Sequence, residues 1–281
     1  MHVPRAFLIA TICLTAAACD PAMLMPSPAD GGNGSKAGAG GTPSGRAGSS
    51  GAMAVAGIAL TTDADGRLEP NPAGAVGAWW SAGDAFAPYS STGPGPCQAA
   101  GFPTTACSTL TTPTPATPFL PDPAGRMCTS GIAAQVLSGS DGQLAWSAIW
   151  GNIVGVTLAT SDPSPTPVIG AYDAPAHGIT GFAFDIDGVL PLGHLRVLVP
   201  TTENDRDSAY WEGAVNDMSP YAGPGHYEVR WPEVGGPLYL GGAAPPFDPT
   251  SIESIAFHVV SRETEAAPYD FCIKNVALLT N

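Results

Sequence analysis

Positive charge is what this chain has least of. Ten Lys and Arg stand against 24 Asp and Glu in 281 residues, a formal charge of −14, and Lys36 and Lys274 are the only lysines. Nucleic-acid binding needs a basic footprint that displaces counterions from phosphates, so this composition excludes it. A sustained 3.6-residue period is missing as well, and 35 Gly and 30 Pro interrupt any helix that starts. Coiled coils and helical bundles are thereby excluded. There is no GxSxG elbow and no HExxH pair, and His177, His194, His226 and His258 are scattered singles. The hydrolase chemistries carried by those motifs have no foothold. No CxxC pair occurs and no His stands at ligand spacing, which argues against a zinc site.

What is present is apolar enough to fold, since a hydrophobic fraction of 44% is too high for a wholly disordered chain. The length suits one large or two small domains. No internal repeat is found, and a separate unit at Ala59–Gly125 would have too few strands, so one folded domain is expected over residues 58–281.

The N-terminus reads as an address. Arg5 supplies a small positive region, and Ala6 to Thr15 is an apolar stretch too short to span a bilayer. It ends in Ala16-Ala17-Ala18-Cys19. Small residues before a cysteine resemble the bacterial lipobox, which implies a signal peptide over 1–18, cleavage before Cys19 and a lipid on that cysteine. Ordinary secretion with Cys19 incidental is the alternative. Either way the protein is expected to be exported, and on the lipoprotein reading it is held at the bacterial envelope by its N-terminal lipid alone. Gly31 to Gly57 holds ten glycines in 27 residues, and residues 19–57 read as a flexible tether.

After processing, Cys97, Cys107, Cys128 and Cys272 remain. An even count in an exported chain points to two disulfides, with three connectivities open. Cys97 and Cys107 flank a short loop, while Cys128 opens an apolar segment and Cys272 lies in the last one. That placement favours Cys97–Cys107 with Cys128–Cys272.

Beyond the tether, short apolar runs alternate with Gly, Pro, Asn and Asp clusters. Strands are expected at Ala75–Ser81, Gly131–Leu137, Trp146–Ala159, Gly178–Ile186, Leu195–Pro200, Tyr227–Pro232, Ser254–Ser261 and Tyr269–Leu279. Phe182, Phe184 and Ile186 alternate with Ala183 and Asp185; Leu195, Val197 and Val199 make a second row, and Ile255, Phe257 and Val259 a third. Such strands without helices between them predict an all-β, antiparallel β-sandwich of jelly-roll type with long Pro/Gly-rich loops. Residues 84–127, with Pro113, Pro115, Pro118, Pro121 and Pro123, read as an extended segment pinned over the sandwich by its cysteines.

Several segments occur in a familiar order. They are Trp150-Gly-Asn-Ile-Val-Gly-Val-Thr-Leu158, Tyr172-Asp-Ala174, Gly178-Ile-Thr-Gly-Phe-Ala-Phe184, Leu195-Arg-Val197, Phe247-Asp-Pro-Thr-Ser-Ile252, Ser254-Ile-Ala-Phe257 and Tyr269-Asp-Phe-Cys-Ile-Lys-Asn-Val276. Over residues 75–281 this order resembles galactose-binding-like jelly rolls, the carbohydrate-binding modules of secreted cellulases and exported myxobacterial lipoproteins. The resemblance implies non-catalytic binding of a polysaccharide. The chain departs from it in the Cys/Pro-rich segment and at Cys272, where many such modules carry an aromatic.

Sugar recognition needs aromatic faces for pyranose rings and planar hydrogen-bonding groups for hydroxyls. The candidate ligand-binding residues are Tyr210, Trp211, Arg230, Trp231, Trp150 and Trp80, each tryptophan having a core or rim position as its alternative. Adjacent strand residues point to opposite faces, so one of Trp79 and Trp80 is expected in the core. Glu203, Asp205 and Asp207 alternate in a way that suits Ca²⁺, with Asp185 and Asp187 a second pair. The resemblance also implies a structural calcium, while an acidic surface loop is the alternative. Asp63-Ala-Asp65-Gly66 resembles part of an EF-hand loop but reads as a turn, because the twelfth position is Pro72. No catalytic residue is assigned; Glu203 with Glu212 is the first carboxylate pair a glycan hydrolase or lyase would use. An envelope structural or adhesion protein is the remaining alternative. A monomer without a required cofactor is expected.

Overall fold

The computed structural model describes residues 57–85, 95–110, 121–122, 125–160, 170–190, 195–202, 223–234 and 247–281. The described strands are β1 (Gly57–Ala59), β2 (Trp79–Gly83), β3 (Thr109–Leu110), β4 (Met127–Ala133), β5 (Gly151–Thr157), β6 (Ile179–Val189), β7 (Leu195–Leu198), β8 (Gly225–Arg230), β9 (Ser254–Val260) and β10 (Ala267–Thr280). One short helix, α1, spans Pro96–Ala99. The strands form two antiparallel sheets, ordered β3-β4-β10-β6-β8 with β1 added against β10, and β2-β5-β9-β7. From β4 to β10 successive strands alternate between the two sheets, the connectivity of a jelly roll. The fold is therefore the all-β sandwich expected from the alternating rows.

Those rows fill the space between the sheets. Phe182, Phe184, Ile186, Phe271 and Ile273 from one sheet meet Val154, Val156, Ile255, Phe257 and Val259 from the other, all nearly or fully buried. Phe257 sets its edge against Phe184 at 4.9 Å between centroids, and Trp79 stacks on it at 6.5 Å. Burial of such side chains is the main favourable term in folding.

Strand β10 organises the larger sheet. It pairs with β4 through Ile273 and with β1 from Ala277 on, and its register against β6 shifts between Lys274 and Ala277. The shift sits at Asn275, the one non-glycine residue with positive φ (52°) among the described residues. An extra residue in a bulge lets one strand exchange partners without losing its inward row, and Asn tolerates the left-handed conformation.

Strand ends differ from expectation for identifiable reasons. β4 begins and ends earlier than Gly131–Leu137, because Ala134 N–H turns to Ser108 Oγ and Val136 N–H to the Arg262 carbonyl. Residues 146–149 belong to a tight turn in which the Ala148 and Ile149 amides donate to the Ala145 carbonyl, so β5 starts at Gly151. Gly151 has φ of 113°, and a Cβ there would stand 2.0 Å from the Val259 carbonyl oxygen. β2 starts at Trp79 rather than Ala75, β8 stops at Arg230 before the Pro232 turn, and β1 and β3 are too short to announce themselves.

Both expected disulfides are present. Cys97–Cys107 closes a small loop of 10 residues' separation, and Cys128–Cys272 joins directly opposed residues of β4 and β10. The described part of the Pro-rich segment is held by the first bridge and by hydrogen bonds from Ser108 to Asp84. Asp63 Oδ1 accepts from the Asp65 and Arg67 amides, so the Asp63–Gly66 segment is the turn expected of it.

Candidate functional site

The two sheets present very different outer faces. On the larger sheet, the outward positions include Asp185 and Asp187 of β6, His226, Glu228 and Arg230 of β8, and Asp270 and Lys274 of β10. Asp185 is central: its Oδ1 accepts from His226 Nδ1 at 2.6 Å and its Oδ2 from Asn275 Nδ2 at 2.6 Å. His226 Nε2 stands 3.6 Å from Glu228 Oε1, and Glu228 Oε2 stands 3.8 Å from Arg230 Nη2. Arg230 Nη1 donates to Thr180 Oγ1 at 2.6 Å. A second group lies toward β4, where Lys274 Nζ meets Asp187 Oδ2 at 3.1 Å and Arg126 pairs with Asp122 at 2.6 Å. That pairing raises the Arg126 pKa above its ordinary value, first through the hydrogen bond and then through the charge of Asp122. The His226 side chain is 59% exposed, so this face is open to solvent.

The row Asp185–His226–Glu228–Arg230–Thr180 leads to an open depression of about 390 Å³ lined by Pro175, Ile179, Thr180, Trp231 and Pro232. Planar donors and acceptors thus run up to an apolar seat, the two ingredients a sugar ring needs.

The outer face of the smaller sheet is packed over. Ser254, Ala256, His258 and Val260 point away from the sandwich core, yet all are buried, and so is Leu198. Trp80 lies opposite Gly155, and its six-membered ring crosses so closely that a Cβ on Gly155 would stand 2.6 Å from it. Buried ionisable groups bracket the Trp150–Gly151 peptide here. Asp84, fully buried, accepts from Ser108 N, Ser108 Oγ and Gly151 N at 2.7–2.8 Å, while its own carbonyl takes the Cys97 amide. Burial outweighs these bonds and pushes the Asp84 carboxyl up to about 6. His258 Nε2 lies 3.0 Å from the Trp150 carbonyl; burial, with the charge of Arg196, holds its pKa down to about 3.

The structure separates the residues that the sequence nominated together. Trp150 is 8% exposed and sits edge-on to His258. Trp231 is 7% exposed, donates Nε1–H to the Ile179 carbonyl, and packs on Phe182 and Phe247. Both indoles hold the core or rim position that is the alternative for each, and Trp231 also lines the depression. Trp80 is half-buried on the smaller sheet, away from Arg230, while Trp79 is the member of that pair in the core. Arg230 alone stands on the open face. Tyr210, Trp211, Glu203, Asp205, Asp207, Glu212 and Cys19 lie outside the described residues. Among the described residues no three His, Cys, Asp or Glu side chains converge as a metal ion requires, and Asp185 and Asp187 are instead engaged with His226, Asn275, Lys274 and Arg126.

His226, Glu228, Asn275 and Thr180 were not nominated. The signal was there for two of them: His226, Glu228 and Arg230 occupy alternate positions of one strand and so share a face. Asp84 had no local signal, because its partners lie 24 and 67 residues away.

No family model matches the chain, and no curated protein does. Among solved structures it is similar to the Family 11 carbohydrate-binding module from Clostridium thermocellum in complex with a β-1,3-1,4-mixed-linked tetrasaccharide. The identity is 15%, the TM-score 0.38, and the match covers 81% of this chain and 98% of that one. It is also similar to the Family 30 module of the cellulosomal cellulase Cel9D-Cel44B of Clostridium thermocellum, at 15% identity, TM-score 0.37, and 81% and 99% coverage. The Family 11 module of cellulosomal cellulase Lic26A-Cel5E matches at 12% identity and TM-score 0.33, over 62% of this chain and 83% of that one. These are modules of the kind the order of motifs resembled. At such identities the chemistry of this chain rests on its own residues.

Proposed function

We propose that this is an exported, lipid-anchored carbohydrate-binding module without catalytic activity, which takes a glycan along the open face of the larger sheet. The observation that carries the reading is the continuity between the polar row and the depression. Asp185, His226, Glu228 and Arg230 offer fixed planar partners to hydroxyls, and Pro175, Trp231 and Pro232 seat the apolar side of one sugar residue. Each group is already held by a neighbour, so little side-chain freedom remains to be lost on binding. A lipid on Cys19 followed by a Gly-rich tether would hold this face near a surface at high effective concentration. Tyr210 and Trp211 remain proposed additions to the ligand contacts, and Glu203, Asp205 and Asp207 a proposed calcium loop.

A glycan array probed with the protein, with calcium and with a chelator, tests the reading. Retention of a defined polysaccharide, abolished in Arg230→Ala and Glu228→Gln and kept in Trp80→Ala, is the expected result. Equal retention by all of these would move the site off this face, and release of reducing ends would make the protein an enzyme. Calcium-dependent retention would support the loop at Glu203–Asp207, and Trp211→Ala tests that aromatic directly. Incorporation of labelled palmitate, lost in Cys19→Ser, tests the anchor.

A further inference from the structure

The polar row on the open face contains an imidazole whose proton is held in one place. Asp185 of β6 stands directly opposite His226 of β8 in their ladder, and Lys274 of β10 stands opposite Asp185 on its other side. An ionised carboxylate can only accept, so the 2.6 Å contact between His226 Nδ1 and Asp185 Oδ1 puts a proton on Nδ1. The second carboxylate oxygen is taken as well, since Asn275 Nδ2 donates to Asp185 Oδ2 at 2.6 Å. Asn275 reaches it from the register shift in β10, where its φ is 52°. With both oxygens engaged, Asp185 is held in one orientation beside the ring. The neutral ring therefore presents Nε2 as a bare lone pair, on a side chain that is 59% exposed. Glu228 Oε1 stands 3.6 Å from that nitrogen, too far for a hydrogen bond and close enough for one sugar to reach both acceptors.

We propose that His226 is a pH switch on glycan retention: its bare Nε2 accepts a sugar hydroxyl at neutral and alkaline pH, and protonation of that nitrogen releases the glycan. The inference rests on the open face being the glycan site. In the neutral state Nε2 and Glu228 Oε1 accept from two neighbouring hydroxyls of one sugar, which selects a ring with free vicinal hydroxyls. As pH falls, one proton passes from solvent onto Nε2. The new N–H can no longer accept from a hydroxyl, and it turns to Glu228 as a charged donor, so two acceptors leave the row together. Retention is thus complete above the range in which imidazoles titrate and is lost as pH falls through it, roughly from pH 8 to pH 5. The charged groups facing the ring are Asp185 from β6, Glu228 and then Arg230 from its own strand, and one strand further Lys274 from β10, paired with Asp187 of β6. β8 ends the order of its sheet, so among the described residues no further strand lies beside the ring.

Affinity electrophoresis of the whole protein in mixed-linked β-1,3-1,4-glucan, at pH 8 and at pH 5, tests the switch, with tryptophan emission checking that the chain is folded at both. The same comparison is made on any polysaccharide that the glycan array retains. The expected result is retention at pH 8 that weakens about tenfold at pH 5, as the loss of one or two hydrogen bonds requires. A neutral polymer keeps the other charges of the protein out of the comparison. Asp185→Asn is the decisive variant. Asn275 Nδ2 still donates to the side-chain oxygen at 185, so the new amide turns its NH2 to His226 Nδ1, moves the ring proton to Nε2 and leaves a donor there at every pH. Its retention at pH 8 should be as weak as that of wild type at pH 5, with no further loss in acid. In nitrogen-15 spectra without glycan, wild type at pH 8 should show Nδ1 protonated and Nε2 bare, and Asp185→Asn the reverse. Retention that is the same at both pH values, or a wild-type ring protonated on Nε2 at pH 8, would overturn the switch and leave the glycan reading standing. No retention at pH 8, on this glucan or on the array, would bring down the glycan reading and the switch with it.

Discussion

The outer faces of the two sheets obey the same alternation rule and end in opposite states. On the smaller sheet the outward row of β9, Ser254, Ala256, His258 and Val260, is small or apolar and wholly buried. On the larger one the outward row of β8, His226, Glu228 and Arg230, is charged and reaches solvent. In a sandwich the inward rows have to be apolar, so the outward rows are where sequence is free to differ. Here that freedom leaves one face buried and the other charged and open, and on the proposed function it separates stability from recognition. The covered face resists change and the open face is expected to read ligands.

The largest expected effect lies on the open face but acts through the unfolded chain. Cys128–Cys272 ties residues 144 apart, for which loop entropy gives about 5 kcal/mol, against about 3 kcal/mol for the 10-residue separation of Cys97–Cys107. Denaturant titrations of Cys128→Ser/Cys272→Ser and Cys97→Ser/Cys107→Ser should show that order. A reversed order would mean that the small loop, packed on Ala134, Val136 and Ile149, matters more as core than as a crosslink. Next comes Phe257→Ala, on the inward row of β9 between Trp79 and Phe184, with an expected loss of about 3–5 kcal/mol.

A subtler effect belongs to the covered face alone. The Asp84 pKa is raised from 3.8 to about 6, so the folded protein holds that proton where the unfolded chain has lost it. Its contribution is full below about pH 4 and is lost as pH rises through 6, a swing of about 3 kcal/mol at most. His258 runs the other way. Its pKa falls from 6.5 to about 3, so stability is lost as pH falls through that interval. Between about pH 4 and 6 the two slopes oppose each other, and this pair should leave little net dependence on pH. Asp84→Asn should expose a stability that rises with pH in that window, and His258→Gln one that falls. Parallel pH profiles of wild type and both variants would show that neither group titrates as its burial requires.

Much of this contrast is legible in the sequence. Period-two rows identified the inward faces of β6, β7 and β9, and the Trp79-Trp80 pair had to split between faces, as it does. Burial of Trp150 and Trp231 was not legible. A tryptophan's composition and neighbours do not say whether a distant carbonyl, here that of Ile179, is placed to take its N–H. The polar row was half legible, since alternation along β8 puts three side chains on one face, but its register against Asp185 depends on long-range pairing. Asp84 was invisible because all of its partners are remote. The disulfide pairing followed from segment placement, and the Cα atoms of Cys128 and Cys272, 3.9 Å apart across one ladder position, show why.

The smallest effect on stability is expected on the open face, and there it should coincide with the largest effect on binding. His226 and Glu228 are exposed or half-exposed, and surface ion pairs of this kind contribute about 0–1 kcal/mol. His226→Ala and Glu228→Gln should therefore unfold within about 0.5 kcal/mol of wild type. Glycan retention should nevertheless fall, since each removes a fixed planar partner from the row that ends at Arg230 and Thr180. Affinity electrophoresis beside a denaturant titration reads both quantities on one sample. If retention survived in both variants, the open face would be a solvated surface and the contrast between the faces one of exposure alone. If stability fell by 2 kcal/mol or so, the row would be a structural network, and Asp185, bonded to both His226 and Asn275, would be its keystone.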